Sequence, residues 1–203
     1  GLNTKPIARL KNPPRFVKEG ISRSAIGSLK VAKSKIEQAL ALVSKGSEFN
    51  DMILVEDAGL FIDSLQGFPG VYSSFVHETI GIPGILRLLS HLKSEDPVTS
   101  ANLRSAKFQA VAAMWHDGRM LFGEGTCPGH IAYKPVEGNG FGYDPIFIPL
   151  DLDREKTPLS PGVYGEYSTH GMSFGGVTEE IKQNFSHRSK ALEDLFSQLP
   201  SAS

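Results

Sequence analysis

The stretch MILVEDAG (residues 52–59) sets four consecutive apolar residues directly against two acids, an alanine and a glycine. Four residues are too few for a helix, and the abrupt end in charge reads as a buried strand that delivers Glu56 and Asp57 at its carboxyl end. Ligands of open α/β sheets gather at such ends. Upstream, residues 21–43 place Ile21, Ile26, Leu29, Ile36, Ala39, Leu40 and Val43 at helical spacings with lysines among them, so an amphipathic helix is expected to pack on the sheet.

Downstream, Gly67, Pro69 and Gly70 make residues 60–74 a turn-rich crossing, and Pro83 suits the first turn of a helix running to about Leu92. AKFQAVAAMW (106–115) and MLFGEG (120–125) read as antiparallel strands joined at Asp117-Gly118. GHIAYK (129–134) reads as a third strand and IFIP (146–149) as a fourth. Residues 150–176 are rich in Pro, Gly, Ser and Tyr, without periodicity. They read as a long surface loop or insertion carrying Tyr164, Tyr167 and His170. Thr178 followed by two glutamates marks a helix start, with a second start at Ser186. No repeat and no linker divides the 203 residues, so a single domain is expected.

The composition narrows the function. An apolar content of 40% supports a packed core, and a net charge of −1 with scattered cations lacks the basic footprint of a duplex nucleic-acid binder. One cysteine, Cys127, cannot close an internal disulfide, which fits a reducing, cytoplasmic setting. No apolar run approaches the roughly 18 residues of a membrane span.

Three constellations carry chemistry. Glu56 and Asp57 are hard oxygen ligands of the kind that suit Mg²⁺, and adjacent carboxylates repel unless a cation lies between them; the pair equally fits an exposed strand terminus. Lys182, His187 and Arg188 in KQNFSHR cluster cations near a helix start, where phosphate or a base carbonyl binds; a solvated helix face is the alternative. In GNGFGYDPIF (138–147) glycines let backbone approach a ligand, Phe141 and Tyr143 offer faces to a planar ring, and Asp144 accepts ring N–H groups; a hairpin with inward aromatics reads as well.

Together and in this order, VEDAGLFIDSLQGFPGVYSSFV (55–76), GNGFGYDPIFIP (138–149) and IKQNFSHRSKAL (181–192) closely resemble the inosine triphosphate pyrophosphatase family. The resemblance implies an α/β fold: a long twisted mixed β-sheet flanked by helices, two lobes around a nucleotide cleft, and a homodimer. It implies Mg²⁺-dependent hydrolysis of ITP, dITP and XTP to the monophosphate and pyrophosphate. It places Asp57 as the catalytic, metal-binding acid with Glu56 beside it. Ala58 falls where backbone meets substrate, Phe141, Gly142, Tyr143 and Asp144 in the base-binding segment, and Lys182, His187 and Arg188 on base and phosphates, with Lys182 balancing developing charge.

The chain departs from that pattern at its start. A phosphate-binding turn of the form T/S-x-N-x-x-K is not found, because Asn3 and Lys5 stand at the wrong spacing, and about twenty residues are expected to be missing upstream. Glu19 is the nearest candidate for a second metal carboxylate. A catalytically silent nucleotide-binding fragment therefore stands as the alternative to an active enzyme.

Overall fold

The computed structural model describes residues 25–43, 52–116, 118–136, 138 and 140–199; Asn3, Lys5 and Glu19 lie outside them. Ala32, Ile36 and Leu40 recur every four residues on α1 (Ile26–Val43), which gives the helix one buried stripe. That stripe packs on Ile53 and Val55 of β1 (Ile53–Ile62), on Val111 and Ala113 of β2 (Ser105–His116), and on Met120 and Phe122 of β3 (Arg119–Ile131). A crossing between β1 and β2 carries three short helices, α2 (Ser73–Thr79), α3 (Gly81–Leu88) and α4 (Pro97–Leu103). Beyond β3 come β4 (Phe147–Pro149), α5 (Glu179–Gln183) and α6 (His187–Phe196).

The strands are ordered β1-β2-β3-β4, and every described pairing is antiparallel. The helix-flanked sheet is thus as expected, but its described part is antiparallel where a mixed sheet was expected. Two strand boundaries also change. β1 does not stop at Val55 but runs ten residues through both acids, because Glu56 and Asp57 pair with Ala112 and Val111 in the same ladder as their apolar neighbours. GHIAYK is no separate strand: β3 continues to Ile131, paired with β2 from Arg119 to His130 and with β4 at its end. Helix α3 ends at Leu88, short of Leu92, and passes into a turn.

Residues 150–176 hold no α-helix or strand and only a short 3-10 turn at Phe174–Gly176, yet they are not a free surface loop. Leu152 and Phe174 are buried in the core, and Leu152 bridges both Pro158 and Tyr167. Tyr164 is exposed, and none of Tyr164, Tyr167 and His170 lines the cleft described below.

Pleating assigns the two faces of the sheet. Successive side chains of a strand point to opposite sides, so Ile53 and Val55 meet α1 while Ala58 joins Ala110, Ala112 and Met114 under Ala191 and Leu195 of α6. Glycines of β3 let α6 lie almost on the sheet backbone. A Cβ at Gly125 would run into the His187 carbonyl and the Ala191 amide, so the first turn of α6 is fixed by a side chain that is not there. Arg104 ties the far end together. Its buried guanidinium donates to the carbonyls of Ile131 (2.7 Å), Leu89 (2.8 Å) and Ala132 (2.9 Å), so backbone groups of two segments are satisfied by one side chain.

Candidate active site

Two helix starts in succession aim the cations. Thr178 accepts the Ile181 N–H and begins α5, which presents Lys182 on its last turn. Ser186 accepts the Ser189 N–H at 3.1 Å and begins α6 at His187 and Arg188. The Lys182 ammonium donates to Asp144 Oδ2 at 2.6 Å, and the same oxygen accepts the Phe141 N–H at 2.9 Å. One carboxylate oxygen therefore closes the glycine-rich loop and anchors the lysine.

These groups line one cleft of about 520 Å³, within the usual range for small-ligand sites. Its floor is aromatic: the His187 ring lies flat on Phe108, 5.1 Å between centroids and 11° between planes, with Phe174 and Phe185 beside it. Its opposite wall is α2, with Ser74, His77 and Glu78. Burial, then Arg188, Lys182 and Lys190, pushes the His187 imidazole down to about 3. Although its edge opens to the cleft, the ring is thus neutral at physiological pH, one nitrogen donating and the other accepting.

The loop divides its residues differently from the sequence reading. Phe141 is 81% exposed at the cleft mouth and free to cover a flat ring. Tyr143 is not: it is 4% exposed in the core, edge-on to His77, with its hydroxyl donating to the Ser73 carbonyl at 3.1 Å. Tyr143 lines the cleft wall, but its ring is packed in the core and not laid open for stacking, and burial raises the phenol pKa to about 12. The glycines also serve another purpose. A Cβ at Gly138 would strike the Gly175 carbonyl, so that position admits the chain's own backbone and not a ligand; Gly142, at φ +61°, is required by its left-handed conformation.

Glu56 and Asp57 part company. Asp57 shares the α1 face with Val55, and its Oδ1 accepts from Lys35 at 3.0 Å; the same ammonium reaches the Glu56 carbonyl at 3.1 Å. Glu56 faces α6, where its Oε1 lies 3.3 Å from Arg188 Nε, close enough for an ion pair but not aligned as a hydrogen bond. Burial lifts the Glu56 carboxyl above its ordinary range, against the pull of Arg188. The pleat sends the two side chains to opposite sides of the sheet, so the structure does not bring them together as the expected shared cation site. Ala58 lines the cleft as expected. Lys35 was missed by sequence reading; the signal lay in a helix lysine facing the sheet, but the partner is 22 residues away.

Among the described residues no three His, Cys, Asp or Glu side chains cluster as a metal site. Asp57 Oδ2, however, is buried without a partner among the described residues. One carboxylate with an open oxygen fits Mg²⁺, which takes one or two protein carboxylates and completes its shell with water and substrate phosphates.

A helix-flanked sheet with an aromatic floor, paired cations and a carboxylate beside the cleft defines a class of α/β protein able to take a flat ring carrying anionic groups. Residues 27–198 match the Ham1 family, and the chain belongs to that family. It is 35% identical over 177 residues to the dITP/XTP pyrophosphatase of Hyperthermus butylicus, covering 86% of this chain and 79% of the relative. With the dITP/XTP pyrophosphatase of Thermococcus kodakarensis the identity is 39% over 141 residues, 70% of this chain and 61% of the relative, so the match spans under two thirds of that protein. A HAM1 protein from Coxiella burnetii superposes with a TM-score of 0.58 at 27% identity, covering 93% of this chain and 82% of that one. A nucleoside-triphosphatase, dITP/XTP pyrophosphatase, from Mycobacterium abscessus gives 0.56 at 25%, covering 93% and 83%. The resemblance read from the three motifs is thereby borne out.

Proposed function

We propose that this protein hydrolyses non-standard purine nucleoside triphosphates, dITP, XTP and ITP, to the monophosphate and pyrophosphate. The observation that carries the reading is the cleft in which neutral His187, stacked on Phe108, stands beside Arg188 and the Lys182–Asp144 pair. Phe141 covers a base without reading it, since every base has a π-face. Identity comes from the edge: donors from His187 and Arg188 meet the 6-oxo acceptor of hypoxanthine or xanthine and leave the amino group of adenine unpaired. Such a mismatch costs about 1–3 kcal/mol, roughly tenfold to a hundredfold. Naming of the relatives as dITP/XTP pyrophosphatases supports this choice.

In this reading Asp57 orients the attacking water and takes up the proton it loses. The new bond forms at the α-phosphorus, the bridge to the β-phosphate breaks, and pyrophosphate leaves. Charge balancing falls to Lys35, which adjoins Asp57, and not to Lys182, which Asp144 holds at the base loop. Asp57 Oδ2 would hold Mg²⁺, which supplies charge neutralisation on the phosphates when bound. No described helix is long and apolar enough to cross a membrane, and a cytoplasmic homodimer completes the proposal, with exposed Tyr72, Phe75 and Ile80 as the apolar surface for the second copy.

The test is detection of pyrophosphate, as distinct from phosphate, released from dITP, XTP and ATP with and without Mg²⁺. Metal-dependent pyrophosphate from dITP and XTP, with little from ATP, is the expected result. No release from a folded protein would replace the enzyme with a nucleotide-binding fragment.

A further inference from the structure

We propose that Glu56 is a positioning residue for Arg188, serving substrate recognition on the α6 face, and takes no part in holding a cation with Asp57. This rests on the reading of the cleft as a purine site and extends it. Three observations carry it. Alternation along β1 puts Glu56 on the face of Ala58, which lines the cleft and packs under α6, and puts Asp57 on the face of Val55 under α1. Glu56 Oε1 is buried and has Arg188 as its only ion-pair partner among the described residues. Arg188 makes this contact through Nε, so its two terminal nitrogens are left for a ligand.

The geometry of a guanidinium makes the third point specific. The ion pair at Nε draws the guanidinium to the Glu56 side, and the outer pair of nitrogens then matches two adjacent acceptors, such as O6 and N7 of a 6-oxopurine. An arginine that is half exposed, with a side-chain accessibility of 56%, would otherwise lose rotamer freedom on every binding event. The start of α6, fixed by Ser186 and by the close approach to Gly125, sets where the arm begins, and Glu56 sets where it ends. Asp57 and Lys35 are left with the phosphate side of the reaction, so neighbouring residues of one strand serve opposite ends of one substrate.

The experiment measures IMP binding by calorimetry for the full chain and for Glu56→Gln, Glu56→Ala, Arg188→Ala and the Glu56→Gln/Arg188→Ala double variant. Glu155→Gln, an exposed change of the same charge, serves as control, and thermal melting confirms that each variant is folded. IMP needs neither metal nor turnover. A partly exposed ion pair predicts a Kd raised about threefold to fivefold by either Glu56 substitution and no further increase when Arg188 is already alanine. The Mg²⁺ midpoint for pyrophosphate release from dITP should stay that of the unaltered protein in Glu56→Gln. Independent, additive effects of Glu56 and Arg188 would overturn the tether, as would a shifted Mg²⁺ midpoint with unchanged IMP affinity, which would make Glu56 a cation ligand. Absence of IMP binding by the unaltered chain would remove the purine site and the tether together. Coupled IMP binding without pyrophosphate release would leave the tether standing and defeat the pyrophosphatase reading alone.

Discussion

Lys35 of α1 and Asp57 of β1 meet at 3.0 Å, with the carboxylate almost sealed from solvent and the lysine half exposed. The contact holds one carboxylate oxygen and leaves the other without a partner among the described residues. A catalytic acid needs such fixed orientation with one acceptor free. Asp57→Asn keeps the shape and removes the charge, so pyrophosphate release should fall at least about a hundredfold, the usual scale for loss of acid–base help. Full turnover by that variant would remove Asp57 from the chemistry. Lys35→Met should slow kcat while moving stability by less than about 1 kcal/mol, since the pair is partly exposed. Equal losses in both would assign Lys35 to folding.

The approach of α6 to β3 at Gly125 gives a packing prediction. Gly125→Ala puts a methyl into the His187 carbonyl, and the helix must lift or tilt. Denaturant unfolding should show a loss of about 1–3 kcal/mol, typical of overpacking. Substrate KM should rise with it, because His187 and Arg188 ride on the displaced turn. An unchanged KM in the destabilised variant would show that the start of α6 is not a precision element of the site.

His187 supplies the pH dependence. Its folded-state value, about 3, lies below the ordinary 6.5, so between those values the unfolded chain takes up a proton that the folded chain refuses. The resulting stability is present above pH 6.5 and is lost as pH falls towards 3. Urea midpoints followed from pH 7 to 4 should therefore fall more steeply for the unaltered protein than for His187→Gln. Parallel profiles would mean that the imidazole titrates normally in the fold.

Phe141 and Tyr143, two residues apart, should separate cleanly. Phe141→Ala removes an exposed ring at the cleft mouth and should weaken IMP binding about tenfold, within the range for base stacking, with no change in stability. Tyr143→Phe removes the hydrogen bond to the Ser73 carbonyl and should cost about 1 kcal/mol of stability with binding kept. The reverse pattern would restore Tyr143 as the stacking residue.

What the sequence by itself determined were the features with short range. The β2–β3 hairpin, the helix starts at Thr178 and Ser186, and the amphipathic α1 all follow from neighbours within a few residues, and the three ordered motifs were enough to reach the family. The tertiary structure alone decided what depends on which element covers which face. Strand period two says that Glu56 and Asp57 diverge once β1 is known to run through them, but not that α6 brings Arg188 to one and α1 brings Lys35 to the other. Likewise, Gly138 and Tyr143 look like ligand contacts in a glycine-rich loop until residues 173–176 and α2 are seen packed against them. A side chain's chemistry is written locally. Whether it is spent on a ligand or on the fold is settled by contacts from 22 residues (Lys35 to Asp57) to 132 residues (Glu56 to Arg188) distant, where burial either commits the group or leaves it open.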